Sequence, residues 1–172
     1  KIDSEEIIRI RKDKIFGFFK KNYNWVVYLV LAFIVFLSVR IRTRNLAGLR
    51  DITTGGWALG PDLDPWLFTR WAEYIVEHGK LMAVDTMRYV PLGFDIEGEY
   101  LFHPYLMAWF HKFLALFGWT DSVIYSSIIY PVFMFALTVI ALFLLSRSIF
   151  KKSLGQNKSN IIGLLSAFFI SV

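Results

Sequence analysis

The sequence contains no cysteine. A disulfide framework and a thiolate metal site are therefore excluded, and cysteine usage marks no redox compartment. It also lacks a dense basic patch interleaved with base-stacking aromatics, so its net charge of +5 does not describe a nucleic-acid surface. Lysines and arginines beside membrane spans account for that charge better. No signal peptide is evident, because the first apolar run begins too late and no small-residue cleavage site follows it. Charge is missing altogether from residues 24–39, NWVVYLVLAFIVFLSV. What is present is mostly apolar. Hydrophobic residues make up 56% of the 172, and aromatic residues 18%. Soluble domains carry roughly 45–50% apolar residues, so composition points to a membrane protein.

Residues 1–23 form a mixed-charge cytoplasmic tail in which RIRKDKIFGFFKKNY is basic and aromatic, the pattern of a helix lying at the membrane surface. A first transmembrane helix is expected over 24–40, extended by snorkelling Lys20, Lys21 and Arg40. Residues 41–121 then change character. Nine of the fourteen acidic residues lie between Asp51 and Glu99, punctuated by glycine and proline. This reads as a large folded loop on the external side, with helices near 65–78 and 103–118. In the first of these, Asp64 fits the N-cap, Pro65 the first helical position and Gly79 the C-terminal stop, while Leu67, Phe68, Trp71, Tyr74, Ile75 and His78 give one face.

A second span is expected over 122–147, kinked at Pro131, then a basic cytoplasmic turn over 148–159 and the start of a third span over 160–172. The charge pattern decides this order. If residues 103–118 also crossed, Arg147, Lys151, Lys152 and Lys158 would lie outside, against the positive-inside rule. The apolar run NIIGLLSAFFISV is shorter than the roughly 20 residues a span needs, and the chain opens on lysine, so a longer parent chain is expected. The fold class is an all-α membrane protein, a multi-spanning helical bundle with a large, partly helical first external loop.

Within that loop, GPDLDPWLF holds two aspartates two residues apart. Carboxylates near a bilayer are costly, so such a pair is a functional candidate by default. Pro61 and Pro65 push the residues before them toward extended backbone, where positions i and i+2 point the same way. Asp62 and Asp64 are then expected to face one site, as oxygen ligands suited to Mg²⁺ or Mn²⁺. The competing reading is that Asp64 caps the helix and Asp62 is a solvated loop residue. Other candidates are weaker. His103 and His111 sit on an apolar helix and read as packed or interfacial. Asp85 and Arg88 suit a loop ion pair, with Arg88 also a candidate phosphate contact. Arg70 suits a structural role or pairing with Glu73. Asn157-Lys158-Ser159 is a formal glycosylation sequon that the expected topology places in the cytoplasm, unmodified.

The ordered set DPW, R, EYIV.HG, R-Y-V-P-L-G and H-P-Y-L-M resembles the first external loop of the catalytic subunit of oligosaccharyltransferases, of archaeal or eukaryotic type. It is carried by Asp62, Asp64, Pro65, Trp66, Arg70, Glu73, Tyr74, Gly79, Arg88, Tyr89, Pro91, Leu92, Gly93 and Pro104. The resemblance implies a fold of the lipid-phosphate glycosyltransferase type. It implies transfer of a preassembled oligosaccharide from a polyprenyl (dolichyl) phosphate or pyrophosphate carrier to asparagine in Asn-x-Ser/Thr acceptors. It makes Asp64 the catalytic, metal- and acceptor-contacting carboxylate, with Asp62 a further metal ligand, Arg88 a substrate contact and Mn²⁺ or Mg²⁺ the cofactor. Expected partners are the lipid-linked oligosaccharide, the acceptor polypeptide and membrane lipids, with no nucleic acid. The expected location is the cell membrane for an archaeal source, or the endoplasmic reticulum membrane for a eukaryotic one. The family's further acidic and Trp-Trp-Asp-type motifs are not in these residues, so they are expected to be inactive alone. The alternatives are another lipid-phosphate-sugar glycosyltransferase, such as a protein O-mannosyltransferase, and a non-catalytic membrane subunit. Adjacent Asp-Glu would mark the former, and the DLD spacing argues against it.

Overall fold

The computed structural model describes residues 8–13, 17, 23–99 and 101–172. The chain is mostly helical, and two of its helices, Tyr23–Arg42 and Val123–Ser171, are long and apolar enough to cross a membrane. Residues 8–13 are helical; the rest of the interfacial helix expected over 9–23 lies outside the described residues, save Gly17 and Tyr23. The chain divides into two compact units, one formed by residues 1–42 and 135–172 and the other by residues 43–134.

In the first unit, α1 (Tyr23–Arg42) buries Val27, Leu31, Ile34 and Ser38 along one stripe and exposes Trp25, Leu29, Phe33 and Phe36. Helical spacing explains the stripe. At 1.5 Å per residue, 20 residues reach about 30 Å, the thickness of a bilayer core. α1 packs on the longest helix, α4 (Val123–Ser171), through a cluster of Val27, Leu31, Ile34, Val139, Phe143 and Ala167. The backbone of α4 leaves helical geometry at Gly155 (φ 77°, ψ 170°). The chain folds back there, because Gly163 lies against Phe143; a Cβ at 163 would meet the Phe143 carbonyl oxygen at 2.9 Å. Tyr23 Oη donates to the Asn157 carbonyl at 3.1 Å, and Arg42 Nη1 to the Ser171 carbonyl at 3.2 Å. α1 therefore runs parallel to the second leg of α4 and antiparallel to the first. The basic turn expected over 148–159 is thus helical except at Gly155, because lysine is a good helix former and only the glycine takes the reversing conformation. Pro131 stands inside the helix, which stays helical there.

In the second unit, a 3₁₀ turn (Leu46–Leu49) leads to an isolated bridge between Arg50 and Trp57. The intervening bend is held by Asp51, whose Oδ1 accepts from Thr53 Oγ1 at 2.6 Å and Thr53 N at 2.8 Å. These bonds hold the Asp51 carboxyl down at about 2. Helix α2 (Leu63–His78) follows and stops at Gly79, whose φ of 78° suits glycine and whose N–H reaches the Ile75 carbonyl. Ala72 and Ile75 of α2 pack on Met107 and Ala108 of α3 (Phe102–Leu116), joined by Tyr130. Between these helices lies a hairpin, β1 (Val84–Asp85) with β2 (Phe94–Asp95), paired Val84 to Asp95 and Asp85 to Phe94. The Tyr-Val-Pro-Leu-Gly segment is its turn, with Tyr89 at φ 51° and Gly93 at φ 79°. These short strands qualify the all-α expectation.

Candidate functional site

Helix α2 begins two residues earlier than the proline pattern suggests. Asp62 is its N-cap (φ −72°, ψ 143°) and makes no side-chain capping bond; Asp64 and Pro65 lie in the first turn. Proline is tolerated there because first-turn N–H groups have no intrahelical partner. This corrects two expectations. Asp64 is not the cap. Nor do Asp62 and Asp64 share an extended run, since Asp64 is helical and neighbours two apart on a helix do not face each other.

Asp64 is exposed at the mouth of a cavity of about 270 Å³, whose walls include Phe68, Thr69, His103, Ser127 and Tyr130 but not Asp62. The His103 ring meets Phe68 edge-on at 5.0 Å and Tyr130 at 5.4 Å. Burial lowers its pKa, so the imidazole is neutral at physiological pH. Thr69 is buried, and its hydroxyl has no partner among the described residues. It also borders a second cavity, of about 370 Å³, with Trp66, Arg70, Glu73 and Met87. Glu73 is pushed up by burial and further by Glu77 one turn on.

The cation expected at the aspartates finds no complete seat. Among the described residues, no group of three or more His, Asp or Glu side chains is placed to hold an ion. A hard divalent cation takes six or more oxygen ligands, and Asp64 brings one carboxylate without the support of Asp62.

Asp85 is a fully buried carboxylate. Arg70 grips it with both terminal guanidinium nitrogens, Nη1 at 2.7 Å from Oδ1 and Nη2 on Oδ2. Trp71 Nε1 donates to Oδ2 at 3.0 Å and Met87 N to Oδ1 at 3.0 Å. Burial alone raises this carboxyl; the bonds from Arg70, Trp71 and Met87 and the guanidinium charge outweigh it and hold the pKa below the usual range. Arg70 is thus committed to Asp85, not to Glu73. Arg88 pairs with Glu99 at 3.4 Å, not with Asp85, and lies 3.8 Å over the Phe94 ring. His111 is buried and shares a 2.9 Å bond with Ser126 Oγ, which itself donates to the Ser122 carbonyl; the imidazole therefore donates from Nδ1. Burial chiefly lowers its pKa, with Lys112 adding to this and Asp121 opposing it.

Sequence reasoning overlooked Thr69 and Glu73 as cavity residues and the role of Asp85 as an anchor. Thr69 and Glu73 lie four residues apart and so share one face of α2, which was an available signal; nothing local marks the Arg70 contact. No protein-family profile, no curated protein and no solved structure matches this chain.

Proposed function

We propose that these residues are the amino-terminal membrane part of an oligosaccharyltransferase of the lipid-phosphate glycosyltransferase type, which moves a preassembled oligosaccharide from a polyprenyl carrier to asparagine in Asn-x-Ser/Thr. The reading places α1 and both legs of α4 in a cell membrane and the α2–α3 unit outside it. The observation that carries it is Asp64. An exposed carboxylate without a capping role stands at a cavity mouth, on a helix braced by the Arg70–Asp85 pair.

The chemistry follows from what a carboxylate does to a primary amide. Amide nitrogen is a poor nucleophile because its lone pair is delocalised into the carbonyl. A carboxylate accepting its N–H hydrogens orients the nitrogen toward an anomeric carbon and draws electron density back onto it. Pyrophosphate departure calls for counter-charge, which a divalent cation supplies when bound. On this reading the remaining ligands come from residues other than those described.

The test uses the full-length protein, a lipid-linked oligosaccharide and an Asn-x-Thr peptide. Asp64→Ala is expected to lower transfer on the order of 100-fold or more while leaving the melting temperature unchanged. Asp62→Ala is expected to have the smaller effect. Undiminished transfer by Asp64→Ala overturns the reading, and transfer to a Ser or Thr hydroxyl instead of asparagine favours an O-mannosyltransferase.

A further inference from the structure

We propose that the tip of the α4 hairpin is a binding site for anionic phospholipid headgroups. The proposal rests on the membrane reading and is independent of the transfer reaction.

The tip is defined by contacts within the first unit. Gly155 reverses the chain and Gly163 lies against Phe143, so Lys151 and Lys152, ending one leg, and Lys158, beginning the other, come to the same end. The bond from Tyr23 to Asn157 brings the start of α1 there as well. Arg147, one turn before Lys151, is already engaged, its Nη1 donating to Tyr28 Oη at 3.0 Å. The three lysines are exposed, and the ion pairs among the described residues involve none of them. The sequence offers them no local counter-charge, since no Asp or Glu occurs after Asp121.

Charge alone would suit any anion; the apolar neighbours select the lipid. Ile149, Phe150 and Leu154 are interleaved with the lysines and exposed at 61%, 38% and 43%. A free phosphate gives such side chains nothing. A phospholipid offers phosphate to the ammonium groups and acyl chain to the apolar ones, the amphipathic arrangement in which lysine stems lie along apolar surface with their heads at the polar boundary. The rigid start of the second leg helps hold the lysines in place: Ser159 is buried, and its hydroxyl donates to the Gln156 carbonyl at 2.9 Å.

The experiment titrates purified full-length protein in neutral detergent with phosphatidylglycerol and, separately, phosphatidylcholine, following bound lipid by native mass spectrometry and thermal shift. Wild-type protein is expected to bind phosphatidylglycerol preferentially. Each lysine near an anionic surface contributes roughly fivefold in affinity. Lys158→Gln is therefore expected to weaken binding about fivefold, and the triple change Lys151→Gln, Lys152→Gln, Lys158→Gln on the order of 100-fold. Lys112→Gln, on α3, should change nothing. Inorganic phosphate at the same concentration should not displace the lipid. The proposal is overturned if the triple variant binds phosphatidylglycerol like wild type, if phosphatidylcholine binds equally well, or if inorganic phosphate displaces the lipid. The single variant keeps the test open if the triple one fails to fold.

Discussion

Asp85 and Asp64 are carboxylates in opposite circumstances. Asp85 is sealed and four times hydrogen-bonded, so removing its charge strands Arg70. Asp85→Asn is expected to cost about 3 kcal/mol of stability, read by chemical or thermal unfolding in detergent. Because its folded pKa lies below the unfolded value of 3.8, its contribution is fully present above that value and is lost as pH falls through the folded pKa. Unfolding measured against pH should show an acid limb below about 3.8 that Asp85→Asn flattens. Glu73 has the opposite sign. Its folded pKa lies above 4.5, so ionised Glu73 opposes folding at neutral pH, and Glu73→Gln is expected to stabilise there, with the gain vanishing in acid. At this scale the sequence marked Asp64 as a candidate functional carboxylate by a proline-bounded motif. It pointed to an ion pair of Asp85 with Arg88 and could not name the actual partner, Arg70, which lies 15 residues away and is brought in by packing.

Helix α2 shows where local rules compete. Its apolar period and its glycine stop were readable from Leu67 to Gly79. The start was misplaced because proline suits any first-turn position, and the helix begins at Leu63. The error changed the site as well as the boundary, since an extended Asp62–Asp64 pair became a single carboxylate on a helix. α4 shows the reverse case. A cluster of lysines looks like a turn, yet charge does not end a helix, and the reversal was left to Gly155 alone. Its φ and ψ belong to a region essentially closed to side chains. Gly155→Val is expected to cost about 1–3 kcal/mol in thermal unfolding, and the cost is one of backbone conformation, since a Cβ at 155 would meet nothing within 4 Å. The buried Ser159 of the Asn157 sequon matters here too. A sequon whose hydroxyl is hydrogen-bonded inside a helix is a poor acceptor on either side of a membrane, so an unmodified Asn157 does not report topology, while a glycan there would show that this leg opens.

For the molecule as a whole, composition pointed to a membrane protein; two helices are long and apolar enough to cross one, and Trp25, Leu29, Phe33 and Phe36 are exposed around α1, which has one narrow buried stripe. The protein is expected to stay in the membrane fraction after alkaline carbonate extraction; release into the supernatant would sink the membrane reading. The single-residue reversal at Gly155 also bears on biogenesis. A bend that short leaves no slack between the legs of α4, and with Gly163 closed on Phe143 one leg cannot be buried in hydrocarbon apart from the other without breaking that contact. The hairpin should therefore insert in one concerted event. A flexible Gly-Ser spacer placed after Gly155 would separate the legs in time; because the chain has no cysteine, Leu165→Cys supplies a single label on the second leg, and nascent chains whose Leu165→Cys thiol reacts with a soluble maleimide only in the spacer variant would record that separation.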